Sequence, residues 1–173
     1  FVSPEAMKFP LEKVQSTGNK NIWLCERGFT FGYENLVVDV TAVPKLKKHG
    51  VPVIMDCTHS LQQPNQKDGI SGGDPEMITS VALSAIATGA DGLFIETHPN
   101  PVHALSDGKS MLPLDQLRSL LRKVVKVRKA INNNNITIKF LKLNLMFNLN
   151  LYFLIHLRED KVLLLDHYPY HRG

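Results

Sequence analysis

Three apolar, strand-like stretches of this sequence each end abruptly in side chains that can bind a metal ion, an anion or a proton. These side chains are Glu26 and Arg27 after residues 22–25, Asp56 and His59 after residues 51–55, and Glu96 and His98 after residues 93–95. Pro99 and Pro101 follow the third stretch and cannot continue a sheet. Because the carboxyl ends of parallel strands carry the chemistry of α/β proteins, these side chains are the first candidates for a functional site.

One imidazole and two carboxylates, those of His59, Glu96 and Asp107, form a ligand set suited to a divalent metal ion. They come from two strand ends and a following loop, so they could converge in the folded chain. The spacing alone also allows a second interpretation, in which polar residues at strand ends make only local hydrogen bonds.

Two further features could bind an anion. The guanidinium of Arg27 at a strand end can grip a phosphate or carboxylate, although an ion pair with Glu26 or Asp56 is equally compatible with its position. The sequence Ser-Gly-Gly at residues 71–73, just before a predicted helix, can offer backbone N–H groups and the Ser71 hydroxyl to a phosphate. Gly-Gly before a helix is also a common turn, so this second signal is weak by itself.

Helices are predicted between these strands. Their ranges are residues 4–16, where Pro10 is an objection, and residues 43–49, 77–88 and 114–130. Helices and strands therefore alternate along the chain. Repeated βα units of this length predict a parallel sheet, either open or closed into a barrel.

Composition narrows the class of protein. The 173 residues, 43% of them hydrophobic, are enough for one domain with a core. The net charge of +4 is modest, and we interpret the Lys and Arg residues of the last predicted helix as a solvated face, not a nucleic-acid site. Cys25 and Cys57 lie at strand ends, which fits a reducing cytoplasm. No secretory pattern opens the sequence, and polar residues interrupt the apolar stretch 140–157, so no membrane span is expected.

The composition changes at residue 132. Asn, Leu, Ile, Phe and Lys dominate the following stretch, as expected for translated A/T-rich non-coding DNA. We therefore predict a domain over residues 1–131 and a foreign or low-complexity, poorly ordered tail over residues 132–173. A genuine extension packed on the outside of the domain is the alternative.

Several motifs, in order and spacing, resemble the 3-deoxy-D-manno-octulosonate 8-phosphate synthases. They are CERGFTFGYENLVVD at residues 25–39, DCTHSLQQP at 56–64, SGG at 71–73, FIETHP at 94–99, SDG at 106–108 and LPL at 112–114. The resemblance extends from residue 1 to about residue 131. It implies a partial (β/α)8 TIM barrel, containing the last three complete strands and the end of a fourth.

The resemblance also implies an activity and a set of roles. The family condenses phosphoenolpyruvate with arabinose 5-phosphate and releases phosphate, a step in making the acid sugar of lipopolysaccharide. It implies that Arg27 binds the phosphate of phosphoenolpyruvate and that Ser71 binds that of the pentose. Asn35 and Gln62 are further expected substrate-binding residues, Asp56 is expected to support the site, and the loop 62–71 is expected to close over it.

By the same resemblance His59 and Asp107 are catalytic, and His59, Glu96 and Asp107 are metal ligands. The metal would be Zn, Fe or Mn, and its fourth ligand is a Cys on the family's first strand, outside this sequence. A metal-independent branch carries Asn there, while Ser106 favours the metal-dependent branch. The family further implies a cytoplasmic homo-oligomer, a tetramer.

Two alternatives remain at this point. The related 3-deoxy-D-arabino-heptulosonate 7-phosphate synthases share the Glu-x-His-Pro and Ser-Asp-Gly elements but lack the Leu-Gln-Gln-Pro loop of residues 61–64. The other alternative is an inactive, truncated fragment, because the family's catalytic lysines and most pentose contacts belong to the other half of the barrel.

Overall fold

The computed structural model describes residues 2–30, 35–64, 72–132, 151–158 and 161–166. Helices and strands alternate through most of these ranges, as the sequence predicts. The elements are α1 Lys8–Gln15, β1 Leu24–Glu26, α2 Ala42–Lys47, β2 Val53–Asp56, β3 Gln62–Gln63, β4 Gly72–Gly73, α3 Ile78–Ala87, β5 Gly92–His98, β6 Leu112–Pro113, α4 Leu114–Asn132, β7 Leu151–Arg158 and β8 Lys161–Asp166.

The helix α1 is shorter than the predicted range 4–16, and its start explains how it contains a proline. Because the helix begins at Lys8, Pro10 lies within the first turn, where backbone N–H groups have no partner inside the helix. Pro44 occupies the same position in α2, which begins at Ala42. Neither proline therefore removes a hydrogen bond that its helix needs.

The strands β1, β2 and β5 lie side by side and parallel. Leu24 pairs with Val53 in the first pair, and Met55 pairs with Leu93 in the second. The short strand β6 extends this arrangement by pairing parallel with the end of β5. All four parallel strands therefore end at the same edge of the sheet, where the sequence places its candidate side chains.

The core lies between this sheet and the helices α2, α3 and α4. Val53, Met55, Leu93 and Ile95 are fully or almost fully buried in the strands. The apolar face of α4 completes the core, and its buried members are Leu117, Leu120, Leu121, Val124 and Val125. The opposite face of α4 exposes basic side chains, as the sequence predicts, namely Arg118, Arg122, Lys123 and Lys126.

A polar network joins α4 to the opposite, amino-terminal ends of the strands. The buried Arg128 donates from Nη2 to the carbonyl oxygen of Ala90 at 2.7 Å. Next to it, Asp91 accepts a hydrogen bond from Val53 N at 2.9 Å and forms an ion pair with Lys47 at 2.6 Å. Burial lowers the pKa of the Arg128 guanidinium. The chain tolerates this buried cation because Arg128 donates to the carbonyl oxygen of Ala90 and lies near the carboxylate of Asp91.

Replacing Arg128 with methionine is expected to destabilise the chain by about 1–3 kcal/mol, because the Ala90 carbonyl oxygen loses its buried donor. Urea denaturation followed by circular dichroism measures the change. Arg122→Met is the matched control, because Arg122 is exposed on the same helix, and it should change stability by less than about 0.5 kcal/mol. Equal effects of the two substitutions would contradict this assignment.

Two strands lie within the stretch predicted as a tail. β7 pairs antiparallel with β5, with Glu96 opposite Tyr152, and β8 pairs antiparallel with β7. Residues 133–150 lie outside the described residues. The foreign origin of residues 132–173 stays a prediction. None of the described helices is long and apolar enough to cross a lipid bilayer.

Candidate active site

The candidate site forms where the parallel strands end. β1 ends at Glu26, directly before Arg27, and β2 ends at Asp56, three residues before His59. In β5, the parallel strand next to β2, Glu96 lies near the carboxyl end. The common direction of these strands brings residues that are far apart in sequence to one edge.

The carboxylate of Asp56 organises the turn after β2. Its Oδ1 accepts hydrogen bonds from Thr58 N at 3.1 Å, Thr58 Oγ1 at 3.2 Å and His59 N at 2.8 Å. Its Oδ2 lies 2.8 Å from His59 Nδ1. An Asp that accepts N–H groups two and three residues later is a familiar turn-forming arrangement. The turn therefore holds the imidazole by Nδ1 and leaves Nε2 for the site.

Glu96 lies completely buried opposite this imidazole. Its Oε2 is 3.2 Å from His59 Nε2, but the contact does not have hydrogen-bond geometry, so neither oxygen has a hydrogen-bond partner among the described residues. The backbone is better satisfied, because Glu96 N donates to Thr58 Oγ1 at 3.2 Å. A buried carboxylate without hydrogen bonds is costly unless a cation accompanies it.

The imidazolium of His59 lies next to Glu96 and can act as such a cation. The hydrogen bond to Asp56, followed by the interaction with Glu96, raises the pKa of His59 to about 10, although partial burial acts in the opposite direction. The two carboxylates on either side of the ring therefore share one positive charge.

Asp107 reaches the same place from the loop after β5. Its backbone φ is +52°, a left-handed conformation that Asp tolerates better than most residues. Gly108 follows it because a Cβ there would collide with the carbonyl oxygen of Pro101. The carbonyl oxygen of Asp107 accepts a hydrogen bond from Ser110 N at 2.8 Å, which closes the turn.

The structure brings His59, Glu96 and Asp107 together as a possible metal-binding group. One ligand atom from each residue lies within 4.8 Å of the others. Two donors on opposite sides of one ion would be at most about 4.4 Å apart, since each lies about 2.0–2.2 Å from the metal. The spacing of the three ligand atoms is therefore close to what one shared ion requires.

Arg27 lies at the same mouth and is exposed. Its Nη2 donates to Gln62 Oε1 at 3.0 Å and approaches the carbonyl oxygen of His59 at 3.5 Å. Among the described residues, no ion pair joins it to Glu26 or Asp56, the alternative that the sequence leaves open. Glu26 instead accepts the backbone N–H of Gly28 at 2.5 Å. The guanidinium is therefore available to an anion.

Two predicted substrate-binding residues, Asn35 and Ser71, remain to be considered. Asn35 is exposed, and no hydrogen bond joins it to another described residue of the site. Ser71 and most of the predicted closing loop, residues 65–71, lie outside the described residues. The substrate-binding roles of these residues stay predictions.

Sequence reasoning missed two features of the site. Thr58 is fully buried and links Asp56 to the backbone of Glu96 through its hydroxyl group. The Asp-x-Thr-His spacing could have indicated this turn. Gln62 donates from Nε2 to Asp107 Oδ1 at 2.7 Å, a contact between residues 45 positions apart that no local pattern reveals.

The chain matches the DAHP synthetase I family over residues 1–133. Curated relatives named 2-dehydro-3-deoxyphosphooctonate aldolase include one from Magnetococcus marinus, 49% identical over 70% of this chain and 42% of the relative. A Legionella pneumophila relative of the same name is 46% identical over 70% of this chain and 44% of its own length. A third, from Koribacter versatilis, is 46% identical over 76% of this chain and 48% of the relative. The chain thus spans about half the length of these relatives, and the resemblance stated from the motifs is confirmed.

Among solved structures, the DAHP synthase of Thermotoga maritima is similar, with a TM-score of 0.63 and 33% identity. The match covers 74% of this chain and 35% of that enzyme. With the parallel βα units described above, this likeness confirms the prediction of a partial (β/α)8 barrel. The family match over residues 1–133 and the identities to curated relatives agree, and the chain belongs to the DAHP synthetase I family.

Proposed function

We propose that this chain carries part of the active site of a synthase that condenses phosphoenolpyruvate with arabinose 5-phosphate. The products would be 3-deoxy-D-manno-octulosonate 8-phosphate and phosphate, for lipopolysaccharide sugar synthesis. The observation that carries the proposal is the cluster of His59, Glu96 and Asp107 at the carboxyl ends of the strands, with Arg27 beside it. The names of the three octonate relatives support the same reaction.

A divalent metal ion, Zn, Fe or Mn, fits this cluster. The supporting observation is the buried Glu96 carboxylate, whose two oxygens have no hydrogen-bond partner among the described residues. His59 would bind through Nε2, because Asp56 holds Nδ1, and Glu96 and Asp107 would each supply a carboxylate oxygen. We place the fourth ligand in the part of the enzyme that this chain does not contain. When bound, the metal would supply Lewis-acid polarisation of a water or of the pentose aldehyde.

The chain's own residues would bind and orient the substrates. The exposed guanidinium of Arg27 would neutralise the phosphate of phosphoenolpyruvate at the mouth of the site. Asp56 would keep the imidazole of His59 in one orientation through its 2.8 Å contact with Nδ1. We assign the catalytic positions to His59 and Asp107, the substrate contacts to Asn35 and Gln62, and the pentose phosphate to Ser71.

A second candidate is the heptonate reaction, for which the Thermotoga maritima enzyme, a phospho-2-dehydro-3-deoxyheptonate aldolase, is named. In this chain that reaction would use erythrose 4-phosphate in place of the pentose. The identity of the Thermotoga maritima enzyme to this chain, 33%, is lower than the 46–49% of the three octonate relatives described above. The sequence LQQP at residues 61–64 also favours the pentose.

The choice between the two sugars can be tested in a completed enzyme, which consists of residues 1–132 fused behind the amino-terminal half of the Magnetococcus marinus relative. We expect kcat/KM for arabinose 5-phosphate to exceed that for erythrose 4-phosphate by about 100-fold or more. The shorter sugar cannot place its phosphate and its aldehyde correctly at the same time, and a misplacement of about 1 Å can cost this factor. Phosphate release with each sugar measures the ratio, and the unmodified relative is the control. Preference for the four-carbon sugar would contradict the proposal.

We further propose that the complete enzyme is a cytoplasmic homo-oligomer, a tetramer by family resemblance. Light scattering after size-exclusion chromatography tests the oligomeric state. The free thiols of Cys25 and Cys57 fit a reducing compartment.

A further inference from the structure

Gln62 lies between Arg27, the candidate anion-binding residue, and Asp107, a member of the metal-binding group. Its Oε1 accepts a hydrogen bond from Arg27 Nη2 at 3.0 Å, and its Nε2 donates to Asp107 Oδ1 at 2.7 Å. One side-chain amide therefore connects the guanidinium to a carboxylate of the metal-binding group. Arg27 and Asp107 come from different strand ends, and the amide is the described group that bridges them.

The amide of Gln62 matches the chemistry of both neighbours. A guanidinium only donates hydrogen bonds and an ionised carboxylate only accepts them, so the bridging group needs an acceptor on one side and a donor on the other. This requirement also assigns the orientation of the Gln62 amide, with oxygen toward Arg27 and nitrogen toward Asp107. Methionine has nearly the same shape and provides neither strong function.

The backbone around Gln62 makes the bridge rigid. Gln62 pairs with Gly73 across the antiparallel strands β3 and β4. A Cβ at Gly73 would come within 2.6 Å of the carbonyl oxygen of Lys109, so β4 packs directly against the loop that carries Asp107. The strand that carries Gln62 and the loop that carries Asp107 are therefore held together through β4.

We propose that Gln62 is a positioning residue that couples an anion at Arg27 to a divalent cation at Asp107. An anion that accepts the other guanidinium N–H groups would hold Arg27 in place and thereby orient the amide. The amide would then fix Oδ1 of Asp107 and direct the other carboxylate oxygen toward the metal. This inference rests on the proposed function and adds that phosphate and metal bind with positive cooperativity.

The bridge can be tested in the full 173-residue chain without any ligand. Arg27→Met is expected to shift the backbone amide resonance of Gly108 in ¹H–¹⁵N spectra. Arg27 orients the side-chain amide of Gln62, which donates to Asp107, so the change reaches the residue after Asp107. The same substitution in a Gln62→Met background should leave that resonance unchanged. Gln63→Met is the matched control, since Gln63 is the adjacent residue of β3 and is also half-buried, and it should preserve the effect of Arg27→Met. If Arg27→Met shifts the Gly108 resonance by the same amount in the Gln62→Met background as in the unmodified chain, Gln62 does not connect Arg27 to Asp107.

The coupling is then measured with Mn²⁺ and methyl phosphate as the probes. Paramagnetic broadening of amide resonances near Glu96 gives the Kd of Mn²⁺ with and without methyl phosphate. We expect methyl phosphate to lower this Kd about fivefold or more in the unmodified chain and less than twofold in Gln62→Met. Gln62→Met should also weaken Mn²⁺ binding about tenfold, the usual effect of removing a group that orients a ligand, while Gln63→Met should not.

The outcomes separate this inference from the proposed function. Two results would contradict the role of Gln62 and leave the metal site intact. In the first, Mn²⁺ binds at Glu96 with a Kd that does not depend on methyl phosphate. In the second, methyl phosphate lowers that Kd equally in the unmodified chain and in Gln62→Met. Absence of broadening near Glu96, in the chain alone and also in the completed enzyme that contains the fourth ligand, overturns the proposed metal site and the coupling together. Circular dichroism of each variant confirms that the fold is retained. Gln62→Leu provides a second variant if the methionine variant does not fold.

Discussion

Glu96→Gln in the completed enzyme is expected to lower kcat/KM by about 10³-fold or more. The substitution keeps the size of the side chain but replaces a carboxylate that has no hydrogen-bond partner among the described residues. An amide is a poor ligand for Zn or Fe, and a metal ion at such a site contributes several kcal/mol to transition-state stabilisation, at about 1.4 kcal/mol for each factor of ten. The loss should be accompanied by loss of bound metal, measured by elemental analysis of the purified protein.

Glu76→Gln is the matched control for this experiment. Glu76 is exposed in the short helical turn Pro75–Met77 before α3, so the same chemical change there should leave activity and metal content within about twofold of the unmodified values. Circular dichroism should show a folded protein for both variants. A Glu96→Gln variant that retains full metal content and activity would remove Glu96 from the site.

The positions of the reactive side chains can be predicted from the sequence because they depend on strand direction. Parallel strands end at one edge, so an apolar stretch followed by Glu96, or by Asp56 and His59, indicates the site without knowledge of any contact. The same reasoning explains why Arg27 is expected at that edge. Pairing of β1 with β2 and of β2 with β5 is sufficient to bring these residues together.

The connections between those side chains cannot be predicted in this way. The contact between Gln62 and Asp107 depends on the approach of β4 to the loop around Lys109, which Gly73 permits. The role of Thr58 depends on the distance between the turn after β2 and the backbone of Glu96. Such contacts join residues far apart in sequence, and no hydrophobic period or local motif encodes them.

The boundaries of the elements are predicted less accurately than their order. The first helix begins at Lys8, later than predicted, since residues 4–7 form a turn. The last helix continues to Asn132, two residues beyond the predicted range. Helix ends depend on a few local hydrogen bonds, whereas the order of elements follows from the alternation of apolar segments along the whole chain.

The chain Phe1–Gly173 by itself is expected to show no synthase activity. Catalysis requires both substrates and the metal to be held together in a reactive geometry, and a misplacement of about 1 Å can lower the rate by about 10²-fold. Arg27 is a cation next to the metal-binding group, and it is exposed to solvent at the mouth of the site. β1 lies at the end of the described sheet, so no further strand among the described residues supplies ligands beyond it.

Two measurements on the same preparation test this expectation. Release of phosphate from phosphoenolpyruvate should not depend on arabinose 5-phosphate when the chain is assayed alone with Zn²⁺ or Mn²⁺. The completed enzyme, assayed in parallel, should show release that depends on the pentose, which demonstrates that the assay and the His59, Glu96 and Asp107 group are functional. Pentose-dependent turnover by the chain alone, abolished by Arg27→Ala, would contradict the expectation. It would mean that residues of this chain bind both phosphates and complete the coordination of the metal without a second half of the barrel.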